Sequence, residues 1–242
     1  PQSGGQFYKP LAPSHAAPSP ADRQFAQGLA LESEVRAAGV AIAQGALVWA
    51  AFSPREVAAL IDGRACVIGC RQLVIAPGAY ERPVPFPGWT LPGVMTTGAG
   101  QTLARAYRVA PGRRVVIAGN GPLNLQLAAE LLAGGADVVA VLESAPRPSP
   151  RQWRHLLSAA RTAPDLLLDG WRYLRKLRAH KVPVLWEHAV VSAEGPTGLS
   201  SVQVARIDAQ GHAVPSTLRR LEADTLCLGY GFIPSTELAR ML

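Results

Sequence analysis

Apolar residues in this chain fall into short runs separated by glycine and proline, and the clearest pattern lies within residues 113–144. Residues 115–118 form one apolar run, and Gly119, Asn120 and Gly121 interrupt it. A long apolar segment then leads to a second run at residues 138–142. Short apolar runs bounded by turn residues favour strands, and a longer one favours a helix. We therefore predict a βαβ unit with a tight glycine turn.

The residue types in this turn are those that nucleotide binding requires. Gly119 allows the tight turn, and Gly121 leaves no Cβ in the way of a pyrophosphate that approaches the helix amides. Pro122 suits the first helical turn, and Glu143 stands where an acid that accepts from ribose hydroxyls is expected, roughly 20 residues on. The third glycine position of the fingerprint is Asn124. Nucleotide binding is the favoured interpretation, and a βαβ turn that binds nothing stays the alternative.

The part of the chain before this unit shows weaker patterns. Residues 1–20 read as a loop that contains Gly4, Gly5 and Gln6, and residues 20–38 have helical periodicity. Short extended runs with intervening turns then predict a small antiparallel meander, at residues 40–43, 46–52, 57–61, 65–70 and 73–76.

Residues 76–93 are rich in proline and glycine, which predicts a rigid crossover without regular structure. A candidate helix follows at residues 97–107. The crossover therefore divides the chain into a first part, residues 1–95, a second part, 96–228, and a return segment, 229–242.

After the βαβ unit, two amphipathic helices are predicted from apolar stripes at i, i+3 and i+4 spacing. Their stripes are Trp153, Leu156, Leu157 and Ala160 in one helix, and Leu167, Trp171, Leu174 and Leu177 in the other. Strands are predicted at residues 182–186, 189–193, 202–207 and 224–229, and a last helix at 235–242. Gly229 ends the final strand and Gly231 follows it, a place where glycine lets the backbone approach a ligand.

Composition narrows the function classes. The chain has 242 residues and a net charge of +7, carried by arginine more than lysine, but no nucleic-acid-binding motif is visible, so we predict no nucleic-acid partner. Three cysteines do not make a disulfide framework. No run reaches the ~18 apolar residues of a membrane span, and no signal peptide is visible. We expect no transmembrane segment and a cytoplasmic protein.

Five segments together resemble a known superfamily, the two-dinucleotide-binding-domain flavoproteins related to the pyridine nucleotide-disulfide oxidoreductases. They are similar above all to the A or alpha subunits of the amino-acid-oxidising branch: opine oxidase, dye-linked proline dehydrogenase, sarcosine oxidase and hydrogen cyanide synthase. The most specific match is residues 73–103, LVIAPGAYERPVPFPGWTLPGVMTTGAGQTL; the others are residues 4–6, 119–123, 172–185 and 229–234.

The resemblance implies an α/β fold: a Rossmann-like, nicotinamide-type nucleotide-binding domain of three layers (ββα) at 96–228, plus part of an FAD-binding Rossmann-like domain at 1–95. The chain would then be an internal piece of a longer flavoprotein. Residues near FAD would be Gly5, Gln6, Pro77, Gly78 and Ala79. Residues at the NAD(P) site would be Gly119, Asn120, Gly121, Pro122 and Glu143, with Gly229 and Tyr230 at the nicotinamide end. The implied partners are a second flavoprotein, of the beta/B type, and a small iron–sulfur protein of the same complex.

The expected function is that of an oxidoreductase subunit in which electrons pass between FAD and NAD(P), or onward within an amino-acid- or opine-oxidising complex. No self-contained catalytic group is evident, so the chemistry would belong to the cofactors. Asn124 motivates one alternative, a structural subunit that holds ADP or ATP. A second alternative is an inactive fragment. Glu143 predicts NAD over NADP, unless Arg147 folds over the ribose.

Overall fold

The computed structural model describes residues 3–8, 10–12, 23–149 and 153–242, and the chain divides into two compact units. Unit 1 comprises Pro1–Tyr80 with Phe232–Leu242, and unit 2 comprises Glu81–Gly231. The boundaries thus differ from the predicted ones near residues 95 and 228. The reason is that the crossover packs on unit 2: the Ala193 and Leu199 amides donate to the Pro87 and Pro92 carbonyls.

Unit 1 contains the predicted meander. Helix α1 (Gly5–Tyr8) and helix α2 (Arg23–Ala37) precede a three-stranded antiparallel sheet of β1 (Leu47–Ser53), β2 (Glu56–Ile61) and β3 (Arg64–Gly69). Asp62 and Gly63, both with positive φ (48° and 75°), make the turn between β2 and β3, a backbone that suits tight hairpins. The predicted start of α2 at residues 20–22, and most of the N-terminal loop, lie outside the described residues.

Unit 2 is built on a five-stranded sheet in the order β5-β12-β6-β7-β8. Its strands are β5 (Val94–Thr96), β6 (Arg114–Gly119), β7 (Asp137–Glu143), β8 (Val184–Trp186) and β12 (Thr225–Gly229), and all neighbouring pairs are parallel. Helix α4 (Pro122–Ala133) connects β6 to β7, which confirms the predicted βαβ unit. Because parallel strands end at one edge, the carboxyl ends of β5, β12, β6 and β7 come together there.

The side chains of β6 alternate between two layers, as a sheet buried on both faces requires. Val115 and Ile117 join a core cluster with α4 residues such as Leu127. Val116 and Ala118 join a second cluster with Val202 and others of a three-stranded antiparallel sheet. That sheet consists of β9 (His188–Glu194), β10 (Ser201–Arg206) and β11 (Arg219–Glu222). Unit 2 therefore has the expected three-layer ββα arrangement.

The helical layer of unit 2 consists of α3 (Thr97–Arg105), α4, α5 (Trp153–Thr162) and α6 (Pro164–Ala179). The apolar stripe of α6 was expected to face the core, and this prediction is wrong for most of its residues. Leu177 is buried, but Leu167, Leu174 and above all Trp171, which is 57% exposed, face solvent. The stripe positions Trp153 and Leu156 of α5 lie outside the described side chains.

Several predicted elements are wrong. Residues 40–43 and 73–76 form no strand, because the meander is completed by β1–β3 and the apolar side chains there are exposed: Val40 by 54% and Val74 by 88%. The C-terminal helix is only a short 3₁₀ helix, Leu238–Met241. The crossover is not wholly irregular, since β4 (Ala79–Glu81) pairs with β13 (Phe232–Pro234).

Candidate nucleotide-binding site

The glycine turn between β6 and α4 lies at the carboxyl edge of the parallel sheet. Gly119 has a φ of +151°, and a Cβ there would overlap the Gly229 carbonyl of β12. Gly121 has a φ of +105°, and a Cβ there would have nothing within 4 Å. The two glycines thus have different structural roles. Gly119 is required by close packing, whereas Gly121 keeps a space open above the start of α4.

Helix α4 begins at Pro122 and has no side-chain cap, since its N-cap residue is Gly121. The first amides of a helix have no partner within it, and the helix dipole makes this end favourable for negative charge. The open space beside Gly121 therefore adjoins amides that suit a phosphate group.

Glu143 ends β7 and is 5% exposed. Its Oε2 accepts a hydrogen bond from the Gly121 amide at 3.0 Å, and its Oε1 accepts one from the Ala145 amide at 3.0 Å. The sequence predicts a carboxylate directed at a ribose, and in the structure the same carboxylate also fixes the glycine turn. Each oxygen keeps a further lone pair that can accept from a ribose hydroxyl.

Ser144 also anchors the glycine turn. Its amide and its hydroxyl both donate to the Gly119 carbonyl, each at 2.9 Å. The turn is therefore held to the end of β7 at two places, by Glu143 at Gly121 and by Ser144 at Gly119.

Asn124, at the third glycine position of the fingerprint, is 1% exposed. Its Nδ2 donates to the Gly229 carbonyl at 3.0 Å, and its Oδ1 accepts from the Thr97 hydroxyl at 2.8 Å. The Asn120 amide donates to the same Gly229 carbonyl at 2.8 Å. Sequence reasoning missed Thr97, and no local signal could have found it, because it lies 27 positions from Asn124 along the chain.

Gly229 and Tyr230 differ in their positions. Gly229 lies in the buried network just described, whereas the Tyr230 ring packs against the core cluster under the antiparallel sheet. Burial raises the pKa of the Tyr230 phenol, a backbone hydrogen bond with Val190 lowers it, and the nearby Glu143 carboxylate raises it further. Tyr230 is therefore a neutral, half-buried side chain at neutral pH.

The residues assigned to FAD lie in unit 1. Gly5 and Gln6 belong to α1, where Gly5 has a φ of +53° and open space at its Cβ position. Gly78 also has a positive φ, +81°, and open space, and its carbonyl accepts from the Ser235 amide at 3.0 Å. Pro77 precedes it, and Ala79 opens β4. Two of these positions thus offer backbone that a ligand could approach.

Among the described residues, no group of three or more His, Cys, Asp and Glu side chains could hold a metal ion. Within the same part of the chain, no helix combines the length and apolar character needed to cross a bilayer. A surface depression of about 470 Å³ lies on α6, lined by Trp171, Arg172, Arg175, Lys176 and Ala179. It belongs to a helix face and not to the carboxyl edge of the sheet.

Two curated relatives share sequence with most of this chain. The chain is 39% identical to HcnB, a subunit of hydrogen cyanide synthase from Pseudomonas protegens, over 76% of this chain and 39% of that protein. It is 31% identical to the A-type subunit of opine oxidase from Agrobacterium tumefaciens, over 99% of this chain and 47% of the relative. The chain thus spans less than half the length of these relatives.

Solved structures share the fold. Thioredoxin reductase from T. acidophilum matches with a TM-score of 0.62 and 14% identity, over 98% of this chain and 68% of that one. L-proline dehydrogenase from P. horikoshii matches with a TM-score of 0.55 and 14% identity, over 98% of this chain and 37% of the other.

The sequence profile of one family, described as pyridine nucleotide-disulphide oxidoreductase, matches residues 7–242. This confirms the resemblance on which FAD and NAD(P) were expected as cofactors. A Rossmann-like sheet with a glycine turn at its carboxyl edge, together with a match over nearly the whole chain, means that this chain belongs to the pyridine nucleotide-disulphide oxidoreductase family.

Proposed function

We propose that this chain is part of an FAD- and NAD(P)-linked oxidoreductase subunit that passes electrons between flavin and nicotinamide, within a heteromeric complex that oxidises amino acids or opines. The observation that carries the proposal is the open space at Gly121, beside the uncapped start of α4 and above the buried carboxylate of Glu143. These features fit the pyrophosphate and ribose of an adenine dinucleotide.

The chain's own residues would hold the nucleotide in three ways. The first amides of α4 donate hydrogen bonds to the pyrophosphate oxygens, and Gly121 lets the pyrophosphate come close. Glu143 accepts from the ribose hydroxyls while it keeps the Gly121 amide in place. Asn120 and Gly229 form the neighbouring edge of the turn. Pro122 begins the helix at a position where an amide N–H would have no partner within the helix. Hydride transfer is the chemistry that flavin and nicotinamide supply when bound.

In unit 1, Gly5, Gln6, Pro77, Gly78 and Ala79 are proposed to contribute to FAD binding. The support is local: Gly5 and Gly78 combine positive φ with open space, which is the backbone property needed for close approach of a ligand. Gly229 and Tyr230 are proposed for the nicotinamide end of the second site. There Gly229 acts through its backbone, because its Cβ position is filled by Asn124 and Thr97.

We further propose that the complex includes a second flavoprotein, of the beta/B type, and a small iron–sulfur protein. The relatives named above are themselves subunits, HcnB in hydrogen cyanide synthase and the A-type subunit in opine oxidase. Co-purification of the intact gene product from its native host would identify such partners directly.

Anaerobic addition of NADH to the intact gene product, purified with its partners, tests the oxidoreductase proposal. The preparation should show the visible absorbance of flavin, and NADH should bleach it. A preparation without flavin absorbance would contradict the proposal.

Asn124 in place of the third glycine favours a second candidate, a structural subunit that holds ADP or ATP without hydride transfer. In that case the adenine half supplies all the contacts, and ADP should bind as tightly as NADH. Calorimetric titration with both ligands, carried out side by side, separates the candidates.

A further inference from the structure

The third position of the glycine fingerprint is filled here by a buried polar cluster of Asn124, Thr97, Gly229 and Gly119. Asn124 lies in the first turn of α4, Thr97 begins α3, Gly229 ends β12 and Gly119 ends β6. Asn124 is 1% exposed and Thr97 is fully buried. A buried polar side chain is costly unless it is hydrogen-bonded, so the contacts within the cluster decide whether it stabilises the site.

Both polar atoms of the Asn124 side chain have a partner of the right kind. The Gly229 carbonyl can only accept, so the Asn124 amide nitrogen must face it, and this bond measures 3.0 Å. The Thr97 hydroxyl donates to the Asn124 amide oxygen at 2.8 Å. The orientation of the amide is thereby fixed, and a carboxylate at this position would place an acceptor against the Gly229 carbonyl.

The two glycines of the cluster are fitted to Asn124. A Cβ at Gly229 would overlap the Asn124 amide oxygen and come within 2.7 Å of the Thr97 hydroxyl. A Cβ at Gly119 would overlap the Gly229 carbonyl and lie 2.8 Å from the Asn124 amide nitrogen. The side chain of Asn124 therefore fills the space between two strand ends that both lack a Cβ.

The Gly229 carbonyl also connects the cluster to the binding turn. It accepts from the Asn120 amide at 2.8 Å in addition to Asn124, so one carbonyl holds both the turn and the helix that follows it. The neighbouring residue Gly121 is the position with open space. Loss of the Asn124 contact would free the side of the turn that faces β12.

We infer that Asn124, oriented by Thr97, is a positioning residue that replaces the third glycine of the fingerprint and holds the turn in the geometry that binds the nucleotide. This rests on the proposed function. A glycine at this position allows close helix–strand packing, whereas here an amide makes the connection by hydrogen bonds. Restoring the glycine should therefore weaken nucleotide binding instead of improving it.

The test is calorimetric titration of the intact gene product with ADP and with NADH. Asn124→Gly and Asn124→Asp should each raise both Kd values about tenfold, the effect of a lost buried hydrogen bond. Thr97→Val should raise them as well, because it leaves the Asn124 amide oxygen without its donor. Thr97→Ser keeps the hydroxyl and should restore wild-type Kd values.

A matched control separates positioning from loss of stability. Val138→Ala removes buried apolar atoms from the amino end of β7, opposite the carboxyl edge of the sheet, and should lower the melting temperature without changing either Kd. Wild-type Kd values in Asn124→Gly, or equal Kd values in Thr97→Val and Thr97→Ser, would overturn this inference but not the proposed function. A wild-type protein that binds neither ADP nor NADH would overturn the proposed function as well.

Discussion

Glu143 holds the glycine turn, and we propose that the same side chain also binds a ribose. Its two oxygens accept the Gly121 and Ala145 amides, and its position at the end of β7 places a negative charge beside the proposed ribose. A 2′-phosphate brought to this place would meet that charge. We therefore propose that this carboxylate favours NAD over NADP, as the sequence predicts.

Glu143→Gln removes the charge while keeping an oxygen that can accept from Gly121. It should lower the preference for NAD+ over NADP+ roughly tenfold, the order of one nearby charge interaction. Glu143→Ala should lower it too and also destabilise the turn. The ratio of the two Kd values measures the effect. Glu187→Gln, which removes an exposed carboxylate paired with Arg206, is the control, and an unchanged ratio in Glu143→Gln would count against the assignment.

Cys227 sits in the middle of β12 and is fully buried. Burial raises the pKa of its thiol to about 12, with a smaller contribution from the Glu81 carboxylate. The thiolate is the reactive form, so Cys227 should not react with a thiol reagent near neutral pH in the folded protein. Mass spectrometry after brief iodoacetamide treatment should show label on the half-buried Cys66 and Cys70 before Cys227, and on all three after denaturation. Early labelling of Cys227 would mean that β12 opens.

At the residue level, the sequence predicted what local chemistry dictates and missed what distant contacts decide. Gly119, Gly121, Pro122 and Glu143 were recognisable from the turn pattern. The role of Asn124 was not, because its partners belong to α3 and to the end of β12, far away in sequence. Asn124 departs from the glycine fingerprint, yet both polar atoms of its side chain are hydrogen-bonded.

Among the elements, the β6–α4 turn makes a sharp prediction about its two glycines. Gly119→Ala should prevent or severely impair folding of unit 2, because its Cβ would overlap the Gly229 carbonyl. Gly121→Ala meets no atom and bears only the cost of its backbone conformation, φ +105° and ψ 176°, about 1–3 kcal/mol. Thermal unfolding should therefore show a modest loss of stability for Gly121→Ala and a large one for Gly119→Ala. Equal losses would contradict this account of the turn.

The start of helix α3 is held in part by a residue that is distant from the helix in sequence. The Thr96 hydroxyl accepts from the Ala99 amide at 3.2 Å and so caps the helix. The Glu81 carboxylate accepts from the Gly98 amide at 2.9 and 2.8 Å, and this link fastens the crossover to the start of α3. Gly98 is needed there, since a Cβ would come within 2.5 Å of the Glu81 carboxylate.

Elements with long apolar runs and clear turns were predictable, whereas most of the three-residue strands were not. The meander β1–β3 and the unit β6–α4–β7 follow from local pattern. Strands β4, β5 and β13 each have 3 residues, too few for a periodicity to show. They exist because neighbouring strands or the opposite end of the chain supply their hydrogen bonds, as Val94–Thr96 pairs with β12.

On the scale of the whole molecule, the division into two units has a physical explanation that sequence composition could not give. Proline-rich residues 82–93 look like a linker, but Phe86 and Leu91 pack against the core cluster of unit 2. The chain therefore leaves unit 1 at Tyr80, well before the predicted boundary, and returns to it at Phe232.

We propose that flavin and nicotinamide exchange electrons in the protein to which this chain contributes. Stopped-flow mixing of the purified complex with NADH, without oxygen, tests it most directly. We expect rapid bleaching of the flavin absorbance in the wild type. In Gly121→Ala, whose added methyl group occupies the open space of the turn, bleaching should require far higher NADH concentrations. A flavin that NADH leaves oxidised, or that bleaches at the same NADH concentrations in Gly121→Ala, would contradict the account.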